Sequence, residues 1–531
     1  MRQDTTVGLI DETFAPSPAV GALWEHARRR PGQQAVIDPR LSRTFEELRS
    51  DVEALARALR DHGIRAGEPV LVLFDVCAES VVAYWALRAI EAVVVVGDPT
   101  GKNADLAHYL QVTGAQHVLA GRRAAEALEP PDGAAWHILE GGSEGALRRW
   151  ALTPSPNAPA TPGGAFEAAG DAAVVLFSSG TTGKPKAIVH SKASIAALHQ
   201  VLLETWKLSS GDIVLGALPF HTIYGLIFSA ASTIHSGATL VLLERFHPKD
   251  ALATIERHRI TTAALVPAML IMMRTLEGNE GYDLSSLRAV YTASAPISES
   301  DIERFRAFSG ASVIANYGMT EIPGAAVEPA DAPHHARSVG RVSPGFEVVV
   351  RDAEGTPLPI GETGEITMRG PTLMQGYLGD AAQTAERIRN GWIHSQDIGC
   401  IDAAGNIYLS GRSSDMIMRG GLNISPLEVE NALSTHPDVL DVAVVGAPHA
   451  VLGQTVWAFV VVRASEPDAS LQERLTEHCR NLLSPPKVPA QVLFANEIPR
   501  NAGGKILRRQ LLSDSDGIAG SSNGSSGKRG V

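Results

Sequence analysis

Ten residues, Phe177-Ser178-Ser179-Gly180-Thr181-Thr182-Gly183-Lys184-Pro185-Lys186, carry two glycines, four hydroxyls and two lysines. Glycines let backbone N–H groups close around an anion, hydroxyls add donors, and lysines add compact positive charge. A polyphosphate is the ligand that uses such a set. The segment departs from the G-x-x-x-x-G-K-[ST] phosphate loop, because Ser178 stands at the first glycine and Pro185 follows the lysine.

Four later segments have chemistry of their own. Asn316-Tyr317-Gly318-Met319-Thr320-Glu321 offers an aromatic face for a purine, a hydroxyl and a carboxylate oxygen for Mg²⁺. Trp392-Ile393-His394-Ser395-Gln396-Asp397-Ile398-Gly399 presents a carboxylate able to accept both hydroxyls of a ribose, and Gly411-Arg412-Ser413-Ser414-Asp415 a guanidinium fork. Pro499-Arg500-Asn501-Ala502-Gly503-Gly504-Lys505-Ile506 mounts a lysine on a glycine-rich loop. Taken singly, each also suits a plain structural role: Tyr317 a core ring, Asp397 a turn cap, Arg412 a surface partner, Lys505 a solvated charge.

The elements that must position these groups alternate. Phe45 to Arg60 reads as an amphipathic helix and Pro69 to Phe74 as a strand. A helix across Ser80 to Ile90, a strand over Ala92 to Val96, a helix over Asn103 to Gly114 and a strand over Gln116 to Ala120 follow. Ala172 to Phe177 reads as a buried strand ahead of the ten-residue loop, and Ser312 to Ala315 as a strand ending at Asn316. This alternation implies an α/β fold with mostly parallel sheets, whose ligands gather at strand C-termini. Residues 153–166, rich in proline, read as a mobile surface connection.

From Val339 to Met368 short strands broken by glycine and proline suit a small barrel or antiparallel sheet. Asp438 to Gly446 and Val456 to Val462 read as strands and Leu471 to Leu483 as a helix, within a compact α+β domain that ends the chain. Domains are expected at 1–410 and 411–515, with a disordered tail at 516–531.

At 531 residues the chain exceeds a single core. Its 44% hydrophobic and 20% charged content is that of a soluble globular protein. A formal net charge of −12 argues against nucleic acid or an anionic membrane as partner. Cys77, Cys400 and Cys479 are too few and too scattered for a disulfide framework or a zinc site. Met1 to Asp4 lacks the basic and apolar regions of a signal peptide, and no apolar run reaches the ~20 residues of a membrane helix, so a cytoplasmic protein is expected.

All five segments, in this order, resemble the AMP-forming adenylating enzyme superfamily: acyl- and aryl-CoA synthetases, luciferases and peptide-synthetase adenylation domains. Gly340-Arg341, Gly361-Glu362-Thr363-Gly364-Glu365-Ile366, Gly376-Tyr377-Leu378 and the stretch from Gly420-Gly421 to Glu430 match too, so the resemblance spans about residues 15–512. It implies a large N-terminal domain of two α/β subdomains plus a distorted β-barrel, with a small mobile α+β C-terminal domain. The implied enzyme is a carboxylate–CoA ligase using ATP, Mg²⁺ and CoA, or a carrier protein's phosphopantetheine in place of CoA, as a monomer or homodimer. Adenylation with an amine acceptor, or of an oxyanion such as nitrite, is the alternative, and a nucleotide-binding paralogue without activity is a third.

By the resemblance, Ser178, Ser179, Gly180, Thr181, Thr182, Gly183, Lys184 and Lys186 would hold the β- and γ-phosphates. Tyr317 would stack on adenine, Ala295, Asn316 and Gly318 would also bind the cofactor, and Asp397 and Arg412 would hold the ribose. Thr320 would touch the α-phosphate, Glu321 would bind Mg²⁺, and Lys505 would bridge the carboxylate and α-phosphate in the first half-reaction only. Gly420 and Gly421 would line a pantetheine tunnel. The acid pocket would draw on His221, Thr222, Tyr224, Ala293, Ser294, Met319 and Ile322.

Three departures stand out. Ser414 takes the place of the usual Asp or Lys hinge, and Gln396 that of a glycine. In Leu218-Pro219-Phe220-His221-Thr222-Ile223-Tyr224 the histidine falls one place before its position in coumarate–CoA ligases. No acidic residue lies between Gly216 and Gly225 to hold an α-ammonium, which disfavours α-amino acids. The mostly small or apolar pocket residues suit an aryl, cinnamoyl-like or short-to-medium acyl carboxylate.

Overall fold

Strand formation follows the β-branched runs. Val93–Val96 is four valines, all buried, and pairs in parallel with Pro69–Leu73 on one side and Ala172–Ser178 on the other. A computed structural model describes residues 17–130, 133–139, 170–178, 185–329, 337–463, 470–501 and 504–519. Within these the fold is mixed α/β, and the chain divides into two units, residues 1–203, 207–245 and 374–381 against 204–206, 246–373 and 382–531.

In the first unit a sheet of seven strands runs Gly376–Tyr377, Lys186–Ser191, Ala172–Ser178, Val93–Val96, Pro69–Leu73, His117–Ala120, Ala135–Ile138. Its last five strands are parallel. Ala172–Ser178 and Lys186–Ser191 instead form an antiparallel hairpin with Ser178 opposite Lys186. The residue that ends the phosphate-type segment, Lys186, thus begins a strand, where a P-loop would lead into a helix N-terminus. Loop residues 179–184 lie outside the described residues, as does the 153–166 connection. Gln34–Ile37, Ile213–Gly216 and Thr239–Leu242 make a second parallel set, with Ser42–Thr44 antiparallel at its edge. The helix Phe45–Asp61 starts at a capping box: Thr44 Oγ1 accepts from Glu47 N at 3.3 Å and Glu47 Oε2 from Thr44 N at 2.8 Å.

Three histidines meet at the edge of the seven-stranded sheet. His117 Nδ1 lies 3.2 Å from His137 Nε2, and the His62 ring stands edge-on to His137 at 5.6 Å. Burial, then His117 and His62, push the His137 pKa from 6.5 down to about 4. Between those values the unfolded chain takes up a proton that the folded one refuses. Stability is thus full above pH 6.5 and falls as pH drops toward 4, by roughly 3 kcal/mol from this residue. Melting curves from pH 7.5 to 4.5 should show the fall, and His137→Leu should flatten it.

In the second unit Thr262–Leu265, Ala289–Thr292 and Ser312–Met319 are parallel. Antiparallel strands continue from them in the order Ile322–Val327, Ser338–Val342, Asn406–Arg412, Trp392–Ile401, Gly364–Arg369, Glu347–Arg351, and the 339–368 stretch expected as a small barrel or antiparallel sheet supplies part of this set. A separate five-stranded sheet of Ile417–Arg419, Leu422–Ile424, Val439–His449, Gly453–Val462 and Gln491–Phe494 packs with Pro426–Ser434 and Leu471–Leu482 around Val429, Leu433, Val444 and Leu475. The last helix, Arg508–Ala519, which buries Leu511, runs past residue 515 into the segment expected as a disordered tail. Residues 520–531 lie outside the described residues. No helix among the described residues is long and apolar enough to cross a membrane.

Candidate active site

The strand Ser312–Met319 changes partners midway, and that change creates the site. Through Ala315 it pairs in parallel with Ala289–Thr292; from Asn316 it turns antiparallel against Ile322–Val327. It therefore does not stop at Ala315, the end expected from the sequence. A bulge falls between Tyr317 and Met319, where a Cβ on Gly318 would stand 2.9 Å from the Gly324 nitrogen and the Ile322 oxygen. Thr320 and Glu321 form the hairpin turn.

Tyr317 is 7% exposed, and its hydroxyl donates to Asp397 Oδ2 at 2.8 Å. Burial, then the Asp397 charge, hold the phenol well above its usual pKa, so it stays a donor. Asp397 faces Arg412 across the pair Trp392–Ile401 and Asn406–Arg412, and its Oδ1 accepts from Arg412 Nε at 3.0 Å. Burial opposes the Arg412 charge, yet Asp397, Tyr317, Asp415 and Glu321 together raise its pKa. Ser395 Oγ accepts from the Asp397 nitrogen at 2.9 Å and donates to Ile366 O at 2.6 Å, locking the carboxylate's backbone. With two engaged oxygens, Asp397 still has lone pairs for two more donors.

Gln396, in the glycine position, has φ +63° and an exposed side chain, while its N–H donates to Glu365 Oε1 at 3.0 Å. A left-handed non-glycine residue costs about 1–2 kcal/mol, and a glycine would offset part of that gain by its larger folding entropy. Gln396→Gly should thus leave the melting temperature nearly unchanged and the ATP KM within about twofold, whereas Gln396→Val should destabilise by about 1 kcal/mol. A tenfold change in the ATP KM for Gln396→Gly would instead put the amide against the nucleotide.

Lys505 shares one cavity of about 240 Å³ with Ser294, Ala295, Asn316, Tyr317, Gly318, Asp397 and Arg412. Burial, then Arg412, lower the Lys505 pKa, with Asp415 and Asp397 opposing them. Ser294 is held at φ +74° beside Ala293 and Ala295. Ile322 is fully buried, outside this cavity, and half-buried Met319 lies in the strand before it. Gly420 and Gly421, φ +57° and +86°, form a two-residue hairpin turn between Ile417–Arg419 and Leu422–Ile424. Ser414 sits in a 3₁₀ turn, its hydroxyl 3.0 Å from Asp415 Oδ1.

In the other unit, Lys186 begins the returning strand of the loop hairpin, 5.3 Å from the centre of the Tyr377 ring. Thr222 spends its hydroxyl on the backbone, donating to Pro219 O at 2.9 Å and accepting from Gly225 N at 3.0 Å. It thereby shapes the entry to a π-helix at Tyr224–Ala231, whose first residue is the buried Tyr224. Gly225 is obligatory there, since a Cβ would meet Pro219 O at 2.1 Å. His221 Nδ1 lies 3.6 Å from Asp98 Oδ1, and burial lowers its pKa against the pull of Asp98. Asp98 had no sequence signal beyond its place in the turn Gly97-Asp98-Pro99-Thr100.

No cluster of three His, Cys, Asp or Glu fit for a metal occurs among the described residues. A single carboxylate such as Glu321, 8% exposed and within electrostatic reach of Arg412, fits an Mg²⁺ that takes its other ligands from phosphates and water.

The sequence pattern of the AMP-binding enzyme family matches residues 23–378, and that of the AMP-binding enzyme C-terminal domain matches residues 428–505. The chain belongs to the AMP-binding enzyme family. Among adenylate-forming relatives, the indoleacetate–CoA ligase of Aromatoleum aromaticum is 32% identical over 92% of this chain and 96% of the relative. The fatty acid–[acyl-carrier-protein] ligase ScoC of Streptomyces coeruleorubidus is 32% identical over 92% and 94%. Among solved structures, the amide bond synthetase McbA of Marinactinospora thermotolerans superposes with a TM-score of 0.82 at 30% identity, over 94% of this chain and 100% of McbA. This AMP-binding enzyme therefore has the adenylate-forming fold.

Proposed function

We propose that this AMP-binding enzyme activates an aryl or acyl carboxylic acid with Mg-ATP and passes the acyl group to CoA. The observation that carries the reading is the gathering of Tyr317, Asp397, Arg412 and Lys505 in one cavity. In the first half-reaction a carboxylate oxygen attacks the α-phosphorus of ATP and the bond to pyrophosphate breaks. In the second, the CoA thiol sulfur attacks the acyl carbon, and AMP leaves with the oxygen that came from the acid.

Like charges oppose the first step, so the groups around the triphosphate must offset them. Residues 178–184 and Lys186 would take the β- and γ-phosphates, and Mg²⁺, when bound, would add charge at Glu321. Tyr317 would flank the adenine beside Ala295, Asn316 and Gly318, Asp397 and Arg412 would hold the ribose, and Thr320 would reach the α-phosphate. Lys505 would bridge acid and phosphate. Its depressed pKa and its neighbour Arg412 suit an ammonium that is costly without an anion between them. The small domain, 411–515, would turn about Ser414 between half-reactions and bring Gly420 and Gly421 to the pantetheine arm. His221, Thr222, Tyr224, Ala293, Ser294, Met319 and Ile322 would shape the acid site, His221 through its neighbour Asp98. A cytoplasmic setting, where ATP and CoA are available, goes with this reading.

The test is pyrophosphate release with 4-coumarate, benzoate, indoleacetate, octanoate, phenylalanine and nitrite, each with and without CoA. Turnover of an aryl or acyl acid that depends on CoA and yields its thioester is expected. Turnover indifferent to CoA would overturn the acceptor, in favour of a carrier protein or an amine as the names of ScoC and McbA suggest for those enzymes.

A further inference from the structure

Lys505 follows two glycines, yet an ammonium counts in a transition state only when it is held in place. The turn that carries it is closed by its own backbone. Asn501 N donates to Lys505 O at 2.9 Å, Gly504 N to Asn501 O at 2.8 Å, and Arg500 pairs with Ile506. Asn501 Oδ1 accepts from Lys505 N at 2.9 Å. None of these bonds ties the turn to the rest of the domain.

Ile506 packs against the core of Ala443, Val445 and Phe459, and Arg500 adds a polar tie. Arg500 Nη1 donates to Gly504 O at 3.0 Å, gripping the turn one residue before the lysine, while Nη2 donates to Asp441 Oδ1 at 2.9 Å and Oδ2 at 3.0 Å. Asp441 belongs to the strand Val439–His449, and its Oδ1 also accepts from Val442 N at 2.9 Å. The two side chains are only 16% and 24% exposed. Burial pushes the Asp441 carboxyl up, and Arg500 is the first group to oppose that push. Asp441, Arg500 and Lys505 all line the cavity that holds Asp397 and Arg412.

We propose that Asp441 and Arg500 are positioning residues for Lys505: the pair fixes the lysine's turn to the terminal sheet and so sets the rate of adenylation without touching ATP or acid. This rests on the reading of Lys505 given above. A planar guanidinium can grip a carbonyl and a carboxylate at once, whereas a lysine offers one point of charge, so Arg500→Lys should keep only part of the effect.

The experiment uses the full chain, the best acid of the panel above and its synthetic acyl-adenylate. Asp441→Asn and Arg500→Met should lower kcat for pyrophosphate release roughly 30-fold, with the ATP KM within about threefold, because misplacement rather than lost binding is at stake. Thioester formation from the supplied adenylate should stay within about twofold of the parent, which also shows that the variants fold. In a Lys505→Ala background, Asp441→Asn should cost nothing further, because it acts through a group already removed. An equal fall in both half-reactions, or an undiminished loss in the Lys505→Ala background, would overturn the proposal. Asp441→Asn and Arg500→Met at the parent rate, beside a Lys505→Ala variant impaired only in adenylation, would overturn the brace alone. A Lys505→Ala variant impaired equally in both halves would overturn the reading of Lys505 itself.

Discussion

Lys505→Ala is expected to slow acyl-adenylate formation by roughly 10²- to 10³-fold, the usual loss when one preorganised donor to developing charge is removed. The same variant should convert a supplied acyl-adenylate and CoA to thioester within a few-fold of the parent rate. The asymmetry follows from where the ammonium lies. It is in the cavity with Asp397 and Arg412, repelled by Arg412, in a position where an anion between the two cations relieves the repulsion. Negative charge is greatest there while the carboxylate meets the α-phosphate; the acyl-adenylate keeps a single phosphate charge once pyrophosphate has left, and asks less of the ammonium. Single-turnover measurement of pyrophosphate and of thioester separates the two steps.

The second large effect is expected at Asp397. Its carboxylate accepts from both Tyr317 and Arg412, so Asp397→Ala removes the acceptor that a buried hydroxyl and a largely enclosed guanidinium share. Removing one partner of a buried pair costs about 3 kcal/mol, with the remaining exposure of Arg412 keeping the loss at the lower end. The ATP KM should rise at least about tenfold as the ribose contacts go. Asp397→Asn keeps the shape and one acceptor and should recover much of the stability but little of the affinity. Thermal unfolding and the ATP KM, measured on both variants, check this: lost stability with an unchanged KM in both would make Asp397 a structural residue only.

Much of the site was legible because its chemistry is local in sequence. The glycine and hydroxyl density at residues 178–186 marks a loop whatever the fold, and the structure puts its two ends opposite each other on a hairpin. Tyr317, Asp397, Arg412 and Lys505 were readable as residue types in short motifs, and four of the five motif segments reach one cavity. Helices with strong local signals were equally plain, as at Phe45–Asp61 with its capping box and amphipathic face.

What escaped was set by pairings, some near and some far along the chain, that residue types in short motifs do not announce. The extension of Ser312–Met319 past Ala315 depends on pairing with Ile322–Val327, which no local preference of Tyr317-Gly318 announces. The hydroxyl of Thr222, expected in the acid pocket, turns to Pro219 because the π-helix entry leaves backbone groups to satisfy. Asp98 beside His221 and Asp441 beside Arg500 are meetings that only the folded chain makes. The left-handed backbone at Gln396 was hidden for the opposite reason: glycine would have advertised it, and glutamine does not.

The central claim is that a carboxylate attacks the α-phosphate before any thiol arrives. The most direct measurement uses the best acid of the panel labelled with ¹⁸O in both carboxylate oxygens, with ATP and CoA, and weighs the products by mass spectrometry. One ¹⁸O in each AMP formed, with pyrophosphate unlabelled, is the predicted result. Unlabelled AMP, or label in an inorganic phosphate released beside ADP, would contradict it.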